Sequence, residues 1–302
     1  MGNWLESVPR GGRVAVVRLR SLGDCVLTTP ALELLHACRP DLRIAVVVEE
    51  RFRGVFEDHP AVAELLAPQA GALRRFAPRL CLNLHGGGRS AWLTALSGAR
   101  WRAGFAHFRP RIIYNVRIPR AQQILGQERT VHTAEHLASA MFFLGVPRCE
   151  IPRARLAADR PPAAGPYAVI HPVATRADKM WPAPCFLEVA AHLRASRLEP
   201  VFVGGADDDL HAFGAYRVVA GAPLSTLKTL LAGATLFVGN DSGPAHMAAA
   251  FSLPVVVLFG ASNPAIWGPW RTASEIVTHA AGIGAIEARR VIEALERLRV
   301  HA

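Results

Sequence analysis

Short unbroken apolar runs alternate along this chain with longer stretches in which apolar residues recur every three or four positions. The runs at 14–18 (VAVVR), 44–48 and 80–84 show no alternation of inward and outward residues. That is the pattern of strands buried on both faces of a parallel sheet. Helical spacing at 28–38 and 131–144 supplies crossovers between them. Residues 147–166 are dense in Pro, Ala and Arg without periodicity and read as a linker. The strand–helix pattern then restarts, with strands at 167–171, 200–203, 236–239 and 254–259 and helices near 184–195, 225–231 and 243–252. An amphipathic helix is expected at 285–299, and packing of that helix back on the first half is left open. The prediction is an α/β protein of two similar parallel-sheet domains, 1–150 and 151–302. Ligands in such sheets bind beyond the carboxyl ends of the strands, so a cleft between the domains is the expected site.

Composition sharpens this picture. With 302 residues and 51% hydrophobic positions, the chain has material for two cores. A formal charge of +10, from 34 basic and 24 acidic residues, points to acidic partners: nucleotide phosphates, a phosphorylated glycolipid or an anionic membrane surface. Nucleic acid is not expected, because no helix-turn-helix, zinc-finger or single-strand-binding signature is present. Five widely spaced cysteines without a C-x-x-C pair suit a reducing compartment. The N-terminal MGNWLESVPRGGR has no apolar signal core, and Glu6 stands where a myristoylation motif needs Ser or Thr. A cytoplasmic location is therefore expected, with peripheral contact at the inner face of the membrane left open.

Two turns carry the candidate chemistry. Ser21-Leu22-Gly23-Asp24 and Gly239-Asn240-Asp241-Ser242-Gly243-Pro244-Ala245-His246 each join a buried strand to a helix. Unpaired N–H groups and the helix dipole at such turns favour anions and can order a reactive carboxylate. One turn is suited to a charged donor, the other to a base. On residue type alone, Asp24 serves equally as a helix cap near Leu27 or as a general base.

Four blocks, SLGDCVLTTPAL, LNLHGGGRSAWLTALSGARWRAGF, HPVATRADKMWP and LLAGATLFVGNDSGPAHMAAAFSLPVVVLFGASNPAIWGP, together resemble glycosyltransferase family nine, the ADP-heptose:lipopolysaccharide heptosyltransferases. The resemblance implies a GT-B fold of two Rossmann-like domains, with the acceptor against the N-terminal half and the nucleotide-sugar donor in the C-terminal half. It implies Asp24 as the base that takes a proton from the acceptor hydroxyl in an inverting displacement. It places Thr175, Lys179, Asp241, Ser242, Gly243, Pro244 and His246 at the donor, with Lys179 on the diphosphate. Lys179 is one of only two lysines beside thirty-two arginines. Its compact ammonium can neutralise a departing diphosphate without a metal. Arg18 matches a basic position facing the acceptor, and Ser21, Gly23 and Arg89 are further acceptor-side candidates. Asp208 or Asp209 would replace a carboxylate that some members use on the nucleotide. The family commonly carries a longer segment after W-G-P than the one that follows Trp267-Gly268-Pro269 here.

Other patterns carry less. His85-Gly86-Gly87-Gly88 looks like an esterase oxyanion loop, but Ser242 lies outside any G-x-S-x-G elbow. His132, Glu135 and His136 share a helical face without the H-E-x-x-H order of a metal site. Trp181, Trp267 and Trp270 read as packing or cleft-wall residues. The expectation is a metal-independent enzyme with no cofactor. The alternatives are a different nucleotide-sugar or acceptor, an epimerase on the same scaffold, or a non-catalytic nucleotide-binding module.

Overall fold

The computed structural model describes residues 3–159 and 165–300. They fall into two compact units, 1–157 and 158–302. In the first, strands β1 (Arg13–Val17), β2 (Arg43–Val47), β3 (Glu64–Leu66), β4 (Leu80–Asn83), β5 (Trp101–Phe105) and β6 (Val116–Ile118) alternate with helices α1 (Leu22–Val26), α2 (Thr29–Cys38), α3 (Ala70–Phe76), α4 (Gly88–Leu96), α5 (Ala121–Leu125) and α6 (Thr133–Leu144). All pairings are parallel, in the order β3-β2-β1-β4-β5-β6.

The second unit contains β7 (Tyr167–His171), β8 (Glu199–Gly204), β9 (Arg217–Ala220), β10 (Leu236–Asn240), β11 (Val255–Phe259) and β12 (Ser274–Thr278). Its helices are α7 (Ala183–Ala195), α8 (Leu224–Gly233), α9 (Gly243–Ala250), α10 (Pro264–Trp267) and α11 (Ala288–Val300). The sheet order is β12-β11-β10-β7-β8-β9, again all parallel. Counted within each unit, both sheets have the doubly wound order 3-2-1-4-5-6.

The apolar runs form the middle of each sheet: β11 is buried at all five positions and β1 at four of five. Edge strands β3, β9 and β12 are partly exposed, and each opens on a polar residue and carries only two or three apolar ones, so no apolar run marks them. Strand β5 is internal, but Arg102 and Gly104 interrupt its pattern. A Cβ at Gly104 would lie 2.5 Å from the Tyr114 ring, so the close approach of Tyr114 requires glycine there.

The first unit extends past the expected boundary at residue 150. Ala154 and Leu156 are buried, and the Arg155 N–H donates to Thr29 Oγ1 at 2.9 Å. Residues 160–164 of the expected linker lie outside the described residues. Helix α11 places Val291, Ala294, Leu295 and Leu298 in one apolar cluster with Val189 and Leu193 of α7 and Leu258 of β11. Its apolar face is thus taken up within its own unit. Beyond Trp267-Gly268-Pro269, the short segment forms β12 and a tight turn at Ile283–Ala285. All five cysteines are free thiols. Among the described residues, no helix is long and apolar enough to cross a membrane.

Candidate functional site

In each unit the strand order reverses once, between β1 and β4 and between β7 and β10. Connections from these adjacent strands leave to opposite faces of the sheet and open a crevice at the carboxyl ends. The sequence candidates sort onto these two points. Arg18, Ser21, Gly23 and Asp24 follow β1 and Arg89 follows β4, whereas Thr175 and Lys179 follow β7 and the Asp241–His246 turn follows β10.

At the first point, helix begins at Leu22, ahead of the expected start near Leu27, because Ser21 caps it. Asp24 therefore sits in the first turn. Its Oδ2 accepts from Ser21 Oγ at 3.0 Å and from the Ser21 N–H at 3.4 Å. Its other oxygen, Oδ1, lies 3.4 Å from Arg18 Nη1. The Asp24 side chain retains 25% of its exposure while that of Arg18 retains 5%. A buried guanidinium thus backs a carboxylate that still reaches solvent. Arg18 also donates to the Leu84 carbonyl, and burial lowers its pKa, partly opposed by Asp24. Gly23 is buried and Ser21 exposed.

The β4 side holds residues that sequence reasoning missed. Asn83, wholly buried, accepts from the backbone N–H groups of His85 (2.9 Å) and Gly86 (3.1 Å). It donates to Ser90 Oγ (3.1 Å) and Tyr114 OH (2.8 Å). All four bonding positions of the amide are used, which fixes the Gly-rich turn. His85 on that turn is held toward its neutral form, first by burial and then by the Arg18 charge. An open concavity of about 890 Å³ is lined by His85, Gly86, Gly87, Gly88, His107 and Phe108, among others. Arg89 is exposed and pairs with Glu49 at 3.0 Å.

At the second point, Lys179 Nζ lies 2.7 Å from Asp241 Oδ2, which also accepts from Ser262 Oγ. The Asp241 side chain is 8% exposed and that of Lys179 24%. One of the three ammonium protons is thereby committed and the others remain available to a ligand. Ser242 stands at the N-cap position of α9 without a side-chain cap bond, its Oγ lying 3.1 Å from Nδ1 of buried His171 instead. Gly243 begins the helix, followed by buried Pro244 and His246. Wholly buried Asn240 ties the two connections together, donating to the Pro172 carbonyl at 2.8 Å and accepting the Trp181 N–H at 3.2 Å. Trp181 is core, its Nε1–H bonded to the Ile286 carbonyl at 2.8 Å. Thr175 is exposed. Gly260 admits the backbone of Asp178, into which a Cβ would collide. Asn240 stood inside the candidate turn without a role of its own, and the only signal for His171 and Ser262 in sequence was their place at or just beyond a strand end.

The weaker candidates have local roles. Asp208 accepts from the Gly205 N–H at 2.6 Å and Asp209 from the His211 N–H at 3.0 Å. His132 caps α6, Glu135 pairs with Arg129 at 2.6 Å, and His136 stacks on Phe105 at 4.0 Å. Among the described residues, no group of three or more His, Cys, Asp or Glu is arranged to hold a metal ion.

Burial of histidines has a measurable consequence. His59, His136 and His171 are each pushed down from 6.5 to about 4, chiefly by burial. Between those values the unfolded chain binds more protons than the native one. Stability is therefore full above about pH 6.5 and falls as pH drops toward 4, by about 1.4 kcal/mol per pH unit for each histidine. The thermal midpoint should drop clearly between pH 7.5 and pH 5. An unchanged midpoint would show that these rings are not buried neutral.

Comparison with known proteins bears on the family and the fold. The description of glycosyltransferase family 9 (heptosyltransferase) matches residues 70–289. Lipopolysaccharide heptosyltransferase 1 of Pseudomonas aeruginosa is 30% identical over 293 residues, covering 85% of this chain and 81% of that protein. Lipopolysaccharide heptosyltransferase 3 of Escherichia coli is 28% identical over 295 residues, covering 83% and 84%. Among solved structures, the family 9 glycosyltransferase of Veillonella parvula superposes with a TM-score of 0.85 at 23% identity over 96% of this chain and 98% of that one. E. coli ADP-heptose lipopolysaccharide heptosyltransferase II gives 0.81 at 21%, covering 96% and 99%. These structures share the GT-B fold of two doubly wound units. The chain belongs to glycosyltransferase family 9, and the protein is a glycosyltransferase.

Proposed function

We propose that the protein transfers a heptose from ADP-heptose to a lipopolysaccharide core acceptor, with inversion at the anomeric carbon and without a metal ion or other cofactor. The observation that carries this reading is the Lys179–Asp241 pair at the β7–β10 reversal, beside the start of α9, whose first N–H groups donate to no side-chain cap. It offers an ammonium and backbone N–H groups where a diphosphate needs them. Relatives named for lipopolysaccharide heptosyl transfer, and a related E. coli heptosyltransferase solved with ADP, supply the sugar and the nucleotide.

In this reading the acceptor hydroxyl attacks the anomeric carbon while Asp24 takes its proton. The bond to the diphosphate breaks on the opposite face, and ADP departs with its new charge on Lys179 and the Ser242–Gly243 backbone. Thr175 adds a hydroxyl to the phosphates, and Gly243 and Pro244 let the turn approach them. Asp241 holds Lys179 in place, and His246 supports the turn. On the acceptor side, Arg18 holds Asp24 oriented from behind, Ser21 and Gly23 shape its turn, and Arg89 meets acidic acceptor groups. The metal-independent element rests on Lys179 supplying the positive charge that a metal would otherwise bring.

The test is to incubate the protein with ADP-heptose and a heptose-free lipopolysaccharide core, with and without EDTA. The expected product is heavier by one heptose, of inverted anomeric configuration by NMR, formed equally in both samples. Retention of configuration, loss of product with EDTA, or ADP release without transfer would each overturn the corresponding element.

A further inference from the structure

We propose that the outer face of α4, with the adjoining 109–112 loop, docks on an anionic lipid bilayer. This goes beyond the transfer reading and needs none of it. The charge is distributed very unevenly. Between Glu64 and Glu128 there is no acidic residue, and this stretch carries ten arginines. The other twenty-four basic residues balance the twenty-four acidic ones, so the whole excess of +10 resides in one-fifth of the chain. Arg100, Arg109, Arg111, Arg117 and Arg120 are exposed there, and among the described residues only Arg89 of this stretch forms an ion pair.

The same stretch exposes large apolar side chains. Trp92 is 61% exposed, Leu96 41% and Ile112 87%. Arg89, Trp92 and Leu96 are spaced three and four apart and so share one face of α4. The opposite face carries Ala91, which packs with Ile113 and Tyr114. Arg102 Nε clamps the turn by donating to the Ile113 carbonyl at 2.8 Å. Because Ile113 is seated inward, Ile112 beside it projects outward. An exposed tryptophan and two exposed aliphatic residues, in a stretch whose exposed arginines other than Arg89 form no ion pair among the described residues, match a bilayer surface, with its apolar interior and anionic headgroups. RNA would satisfy the arginines but leave Ile112 and Leu96 in water.

The test uses the full chain and vesicles of phosphatidylcholine alone or with phosphatidylglycerol, containing no sugar acceptor and no donor. Co-sedimentation should require phosphatidylglycerol and weaken with salt. Trp92→Ser with Ile112→Ser should reduce binding at least tenfold. Arg109→Gln with Arg111→Gln should reduce it about twenty-five-fold, at about fivefold for each charge. Ile276→Ser, at an exposed apolar residue of the other unit, should change nothing. Circular dichroism and ADP titration on the same preparations confirm that each variant is folded and separate docking from the donor reading. Absence of binding, equal binding to neutral vesicles, insensitivity to both pairs of substitutions, or displacement from vesicles by single-stranded RNA at equal phosphate would overturn the proposal.

Discussion

Asp24→Asn should abolish transfer while ADP still binds. A positioned general base contributes on the order of 10²–10⁴ in rate, so kcat should fall by about that factor, with the Kd for ADP within about twofold of the parent. The amide is isosteric and its oxygen can still accept from Ser21 Oγ, so the turn should persist. What it loses is the capacity to take a proton. It also removes the charge 3.4 Å from the buried Arg18 guanidinium. Leaving a buried cation without its counter-ion destabilises a fold by about 1–3 kcal/mol or more. A modest fall in thermal midpoint is therefore expected with the loss of rate. Ser21→Ala supplies the contrast: it removes one bond to Asp24 but leaves the carboxylate, so transfer should fall by about tenfold at most. Both variants are checked by steady-state transfer rates, ADP titration and melting curves.

Lys179→Ala should weaken ADP binding at least tenfold and lower kcat by about 10²–10³. Two effects act together. The ammonium available to the diphosphate disappears, and Asp241, only 8% exposed, loses its partner at 2.7 Å. The unpaired carboxylate then repels the incoming phosphates. Adding Asp241→Asn to Lys179→Ala removes that repulsion, so the double variant should bind ADP better than Lys179→Ala alone. A double variant that binds worse would place Asp241 on the ligand directly. Lys179→Arg should restore only part of the rate, because a planar guanidinium cannot replace a compact ammonium at the end of a tight turn.

The doubly wound architecture was legible because a parallel sheet covered on both faces writes its inner strands as continuous apolar runs, as in VAVV of β1 and VVVLF of β11. Edge strands β3, β9 and β12 left no such trace because one side meets water. The anion-suited turns were legible as Asp, Ser and Gly at strand-to-helix junctions. What joins them was not. Arg18 reads in sequence as a surface cation open to an acceptor, yet its position at the end of β1 buries it against Asp24. Asn83 and Asn240 are ordinary residues in sequence, and only the strand order reveals that each ties two crossing connections together. His171 and Ser262 reach Ser242 and Asp241 from other strands, a proximity that arises from sheet order alone. The concentration of arginine between two distant glutamates is plain in the sequence, but its pairing with Trp92 and Ile112 needed the fold.

In the proposed reaction the diphosphate is held at the β7–β10 reversal by Lys179, while proton removal belongs to Asp24 on the other unit. Calorimetric titration of ADP into the parent, Asp24→Asn and Lys179→Ala proteins, with transfer rates on the same samples, tests it most directly. Asp24→Asn is expected to bind ADP like the parent while its kcat falls by about 10²–10⁴, and Lys179→Ala to bind at least tenfold more weakly. Loss of ADP affinity in Asp24→Asn, or parental affinity in Lys179→Ala, would contradict this assignment.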